Sequence, residues 1–255
     1  MNLLEPAILL ILCLGLDDAT PPKPSPQLKD MAALWALEKE HRFVWALKGE
    51  KVGETRFTVR RGAKSEGGYE VEAHRSHDRQ GISTRARSTT RFLDGGKPLR
   101  FEETLDLRAP RNSRSHKETR IDFADTKARV RYSNNGKDEE PITLDLPRGV
   151  FLTASDAVEH WVILAAEIPR AALKHEAKLL YPDHSKILEV TFERAGTEKL
   201  KVGPEEIEAT RYSFRAAHGE MNGSVWLDGR GKLLQIEFPG TSRELTLRVT
   251  LASGG

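Results

Sequence analysis

Apolar and polar residues alternate with a period of two along most of this chain, the signature of strands with one covered face and one wet face. Phe57 and Val59 alternate with Arg56, Thr58 and Arg60; Tyr69, Val71 and Ala73 share a face; Ile82, Ala86 and Phe92 share another, with Thr84, Ser88 and Thr90 between them. The pattern continues through Leu99, Phe101, Leu105 and Leu107, through strands near Arg114 to Phe123 and Lys127 to Tyr132, and through Leu173 to Tyr181. Leu188, Val190 and Phe192 then face away from Lys186, Glu189 and Glu193. Gly223 to Asp228 and Leu233 to Phe238 form a hairpin, and Leu245, Leu247, Val249 and Leu251 close the chain. Turns fall at Lys48 to Gly53, Asp94-Gly95-Gly96, Asn134-Asn135-Gly136 and Asp228 to Gly231, where Gly and Asn accept positive φ. A change of parity between Ala209 and Tyr212 predicts a bulge near Thr210.

One stretch departs from this rhythm. From Thr153 to Arg170, Val158, Trp161, Val162, Ala165 and Ile168 are spaced by three and four, which places them on one face of a helix. Thr153 or Ser155 can cap its first turn, Asp156 and Glu159 suit the positive end of its dipole, and Pro169 stops it. A second, short helix is predicted within Gln27 to Glu40, from Leu28, Met31, Leu34 and Trp35. A dozen or more strands exceed what an open twisted sheet carries without curling. The expected fold is therefore mainly β: one large curled antiparallel sheet, a meander-like half-barrel wrapped around one or two helices, with the Thr153 to Arg170 helix in its concavity.

At 255 residues, 38% of them apolar, the chain suits a single sheet domain over 41–255 with one solvated face. Lys plus Arg number 40 and Asp plus Glu 38, so overall charge does not point to a nucleic-acid partner. Ala7 to Leu16 is a ten-residue apolar run that matches a secretory leader and is too short to span a bilayer, although no basic residue precedes it. Residues 1–19 are expected to be a signal peptide and 20–40 a Pro-rich linker with the short helix. The protein is then periplasmic or extracellular, with no transmembrane span after leader removal. A lipid anchor on Cys13, the single cysteine, is the alternative, and bulky Leu12 just before it argues against one.

With these landmarks in order, HRFVWALKGEKVGETRFTV resembles the opening of an exported bacterial family of unknown function, where an aromatic strand leads through a Gly-x-x-x-Gly turn into a second strand. LDLPRGVFLTASDAVEHWVIL resembles that family's centre, and GTEKLKVGPEEIEATRYSF with GSVWLDGRGKLLQIEF its closing hairpins. The resemblance covers about Phe43 to Leu247 and implies the curled half-barrel of the lipoprotein-localisation carriers, a sheet around helices and an apolar cavity. It implies no catalytic residues.

Chemistry is sparse. His74, His77 and Asp78 hold metal-ligand types, but residues three apart in a strand face opposite ways. Asp156 and His160 are spaced as an acid-base or ion pair on one helix face, with no nucleophile motif to serve a hydrolase. No cofactor, metal site or enzymatic activity is expected. From Arg75 to Arg120 there are 12 basic against 6 acidic residues, and Arg85, Arg87 and Arg91 share a strand face suited to anionic headgroups or to cross-strand pairing with Glu102 and Asp106. Glu103 shares parity with Leu99, Phe101, Leu105 and Leu107, so it must be paired, hydrated, neutralised or turned outward by a bulge.

The expected function is a non-enzymatic exported envelope protein that binds a lipid, another apolar or amphipathic ligand, or an envelope protein in the concave face. Candidate contacts are Glu103, Phe101, Trp161, Arg85, Arg87 and Arg91. The alternative is a structural or protein-interaction module with a filled core and no small ligand.

Overall fold

The computed structural model describes residues 31–252 apart from 64–66, 80, 95, 111–112, 154–156, 170, 183–184, 220 and 240–245. The leader, Cys13, the prolines of 20–26, Gly95, Ser155, Asp156 and Leu245 lie outside the described residues. Two helices, α1 (Met31–Leu34) and α2 (Val158–Glu167), accompany strands β1 (Glu40–Leu47), β2 (Glu50–Arg61), β3 (Tyr69–Arg79), β4 (Ile82–Phe92), β5 (Pro98–Arg108), β6 (Arg114–Phe123), β7 (Lys127–Asn134) and β8 (Lys137–Asp138). They continue with β9 (Ile142–Asp145), β10 (Val150–Leu152), β11 (Lys174–Tyr181), β12 (Lys186–Val202), β13 (Glu205–Ala216), β14 (Asn222–Asp228), β15 (Leu233–Phe238) and β16 (Leu247–Leu251).

All belong to one sheet, antiparallel except where β10 pairs with β11. The sheet runs β1 to β8 in sequence order, with β9 also on β7, and continues from the other side of β1 through β16 back to β10. Pairing of β16 with β1 joins the two ends of the chain, so both free edges come from its middle. The meander-like order holds on both sides of this pair, with sequence neighbours adjacent from β1 to β8 and from β10 to β16, and the run passes through the first and last strands. The edges meet through side chains. Phe101, Ile121, Val130 and Tyr132 form one apolar cluster with Val150, Leu152 and Leu180, and the Tyr132 hydroxyl donates to the Pro182 carbonyl.

Turn chemistry appears where the sequence placed it. Lys48 and Gly49 (φ 56° and 81°) and Asn135 and Gly136 (φ 50° and 76°) both have the paired positive φ that suits a two-residue hairpin. The bulge forecast near Thr210 sits on the partner strand: Arg194 opposes Tyr212 and Gly196 opposes Arg211, leaving Ala195 extra on β12. Gly223 is required by a close approach, since a Cβ there would lie 2.1 Å from the Glu237 carbonyl oxygen and 2.6 Å from the Phe214 ring.

The helix of the concavity differs from its amphipathic forecast. α2 is shorter than Thr153 to Arg170, and all ten of its residues are buried, including Glu159, His160 and Glu167. Ala157 occupies the N-cap with no side-chain hydrogen bond, while Thr153 donates its backbone N–H to Leu180. Ile168 is extended, as a residue before proline should be, and ends the helix. On its apolar side, Trp161 packs on Phe214 (centroids 4.8 Å apart) and Phe238 (5.6 Å). α1 and Trp35 cover the barrel end formed by the start of β1 and the end of β2, with the Trp35 ring 5.0 Å from His41 and 5.1 Å from Phe57.

Candidate functional site

α2 tolerates burial on all sides because the inner face of β3 to β5 is itself polar along one seam. Strand alternation turns Arg75, Ser88 and Thr90 inward beside Val71, Ala73 and Phe92. Arg75 Nη1 donates to Glu159 Oε1 at 3.2 Å, Arg75 Nη2 donates to Glu103 Oε2, and Ser88 Oγ donates to Glu159 Oε1 at 2.6 Å. One residue on, His160 Nε2 lies 3.1 Å from Thr90 Oγ1 and its ring meets Phe101 edge-on at 5.0 Å. Arg75, Glu159, His160, Ser88 and Thr90 are each at most 4% exposed, so no substrate reaches them in this conformation. A buried charge is tolerable only when paired and hydrogen-bonded; two carboxylates supply this to the guanidinium at Nη1 and Nη2, while its Nε and Glu159 Oε2 are buried without a hydrogen bond. At the other end of α2, burial alone raises the Glu167 carboxyl to about 7.

Among the open features of the described residues, one lies at the barrel mouth opposite α1. There the end of β1, the start of β2, the end of β3, the end of β11, the start of β12, described residues between β13 and β14 and the β15 and β16 ends surround a cavity of about 570 Å³. Trp45, Val52, Leu188, Met221, Phe238 and Leu247 supply its apolar wall. Its inner boundary reaches α2 through Phe238, which packs on Trp161. Trp45 is held by donation from its Nε1 to Thr55 Oγ1 at 2.8 Å, and the His77 ring stacks on it at 5.8 Å. This volume lies in the usual small-molecule range.

The six residues singled out from sequence do not form one site. Phe101 and Trp161 are core residues on opposite sides of α2. Glu103 reaches inward as its parity indicated, in unshifted register with β6, and pairs with Arg75; the bulge of β5 lies earlier, at Leu99. Arg85, Arg87 and Arg91 lie exposed on the outer face, where Arg87 pairs with Glu72 and Arg91 with Glu70, both at 2.6 Å. These partners belong to β3, so the expected pairing across to Glu102 and Asp106 on β5 is corrected for Arg87 and Arg91. Such pairs recur over the outer face: Arg42, Lys51 and Arg56 converge on Glu54, whose carboxyl the Lys51 hydrogen bond and the two arginines hold at about 2. His74 faces outward and His77 inward, as the pleat requires.

Arg75 was missed although it shares parity with Tyr69, Val71 and Ala73, which was the available signal. The mouth was missed because its walls come from strands far apart in sequence.

Comparison with known proteins agrees with this architecture. A family model described as a domain of unknown function (DUF6134) matches residues 154–250. No curated protein matches the sequence. Among solved structures, the chain is similar to a beta-barrel-like protein of DUF1849 from Brucella abortus, at 12% identity and TM-score 0.56, covering 85% of this chain and 97% of that one. Looser similarity extends to a putative exported protein with a YmcC-like fold from Bacteroides fragilis, at 8% identity and TM-score 0.30, covering 84% of this chain and 94% of that one. The hypothetical lipoprotein YmcC from Escherichia coli gives 11% identity and TM-score 0.29 over 88% of this chain and 94% of that one. The curled β half-barrel expected from the sequence is borne out by the Brucella structure and the observed sheet. Among the described residues no helix is long and apolar enough to cross a membrane.

Proposed function

We propose that this protein is a non-enzymatic exported binding protein whose barrel mouth takes the apolar part of a lipid or similar amphiphile. The observation that carries the proposal is the 570 Å³ cavity walled by Trp45, Val52, Leu188, Met221, Phe238 and Leu247. Burial of an acyl chain against such a wall is favourable by about 25 cal/mol for each Å² removed from water. The site proposed from sequence therefore moves outward, because α2 fills the concavity around Trp161. The leader-like run Ala7 to Leu16 supports export. A non-catalytic role fits the seam: the Thr90 hydroxyl facing His160 Nε2 is buried, and the Ser88 hydroxyl is engaged in a hydrogen bond to Glu159.

Complete burial of α2 favours the second reading, a structural or interaction module with a filled core. Native mass spectrometry of protein purified without detergent, followed by solvent extraction, separates the two. A retained amphiphile, or uptake of an added one, supports carriage. Protein that is empty and takes up none leaves the structural module.

A further inference from the structure

The hairpin of β12 and β13 is longer than the sheet that carries it. β11 pairs with β12 from Lys186 to Glu193, and Arg194 adds one more rung by donating its backbone N–H to the Leu173 carbonyl at 2.8 Å. There the chain leaves the edge of β12: Ala172 donates its N–H to the Pro169 carbonyl at 3.0 Å, in a turn that leads back to α2. β12 runs on to Val202, paired over this stretch with β13 alone among the described residues. A strand paired on one side directs alternate N–H and C=O groups to the other. Val202 and Glu205 flank a two-residue turn and form its hydrogen-bonded pair, so the backbone groups of Leu200 and Val202 serve β13 and those of Lys199 and Lys201 point to the open side.

This edge has two unlike faces. Val202 is buried and Leu200 half-buried against the main apolar cluster, and Glu198 beside them accepts a hydrogen bond from Trp226 Nε1 at 2.5 Å, so the ribbon is held to the body of the sheet. Thr197, Lys199 and Lys201 alternate with these and are exposed. Where the β11 ladder ends, Leu173 is 76% exposed and adds apolar surface at the base of the edge. A chain added here must bring apolar side chains beside Leu200 and Val202 and acidic ones beside the lysines, the order that Glu208 and Glu206 of β13 already set on the other flank. A second copy does not meet this requirement. Antiparallel pairing of two such edges about their centre sets Lys199 opposite Lys199 or Lys201, or Glu198 opposite Glu198, and like charges directly opposite are destabilising.

We infer that residues 195–202 are a docking edge for an extended segment of a partner protein, one in which acidic residues alternate with apolar ones and which adds to β12 as a further strand. The inference stands apart from the mouth and its ligand. The probe is a synthetic peptide of matching length in which Glu alternates with Val, and the control peptide carries Lys in place of Glu. Titrated into the purified protein, the Glu peptide should bind saturably and about tenfold more tightly than the Lys peptide. In hydrogen exchange on the wild type, the amides of Lys199 and Lys201 should be open in the free protein and become protected when the Glu peptide is added, while those of Leu200 and Val202 are protected throughout. Lys199→Gln combined with Lys201→Gln keeps the backbone and should erase the preference between the peptides. Lys201→Pro removes an N–H from the open side without breaking a rung to β13, and should weaken the Glu peptide at least about tenfold at an unchanged thermal midpoint. If the proline lowers that midpoint, exchange on the wild type decides. Amides of Lys199 and Lys201 that stay open in the presence of the Glu peptide, or equal affinity of the wild type for the two peptides, overturn the inference. Protection of these amides in the free protein means that the edge is already covered, by a second copy where sedimentation gives a dimer and by another part of this chain where it gives a monomer, and either result overturns it as well.

Discussion

Arg75 on β3 and Glu159 on α2, 84 residues apart in sequence, meet at 3.2 Å in the interior, and that contact fixes the polar side of the central helix to the sheet. The same guanidinium holds Glu103 on β5, so one cation joins three elements. Arg75→Met leaves two carboxylates without their cation in a low-dielectric site. It should cost about 3–5 kcal/mol of stability in urea denaturation. Replacing all three residues by apolar ones should recover most of that loss, because pairing had only offset desolvation. A loss below about 1 kcal/mol for Arg75→Met would show that the seam is hydrated.

On the apolar side, Trp161 is 2% exposed and sits between Phe214 and Phe238. Trp161→Ala should destabilise the fold by about 3–5 kcal/mol through lost transfer energy and a cavity that the surrounding rings do not fill. An unchanged urea midpoint would contradict the placement of α2 as the centre of the core.

Glu167 gives the stability a pH dependence. Its carboxyl titrates at about 7 in the folded protein against 4.5 as the reference value, because burial disfavours the charged form. Between those values the native state binds more protons than the unfolded state, so stability from this group falls as pH rises through the window. Wild type measured near pH 5 and near pH 8 should lose on the order of 2 kcal/mol more than Glu167→Gln does over the same interval. Identical losses in the two proteins would place Glu167 in water.

Much of the sheet was legible because its physics is local. Alternation in Tyr69, Val71 and Ala73 or in Leu247, Val249 and Leu251 follows from one wet and one covered face, and Asn135-Gly136 marks a turn by backbone tolerance alone. Helical type at Val158, Trp161 and Val162 was equally local. What lies opposite the helix is not. Glu159 and His160 look like a solvent face in isolation, and only the juxtaposition of β3, β4 and β5 shows that Arg75, Ser88 and Thr90 supply their partners. Pairing of β16 with β1 and the rim around Trp45 and Leu188 likewise depend on tertiary closure, to which residue spacing is blind.

The central claim is that the mouth binds an acyl chain, and titration of a fluorescent fatty acid into the purified protein tests it most directly. Met221 lines the cavity from the β13–β14 connection, outside any strand, so Met221→Glu places a charge in the apolar wall with little effect on folding. The wild type should show saturable binding of one probe per chain, and Met221→Glu should weaken it at least about tenfold with an unchanged thermal midpoint. No saturable binding by the wild type, or equal affinity in the two proteins, would contradict the account.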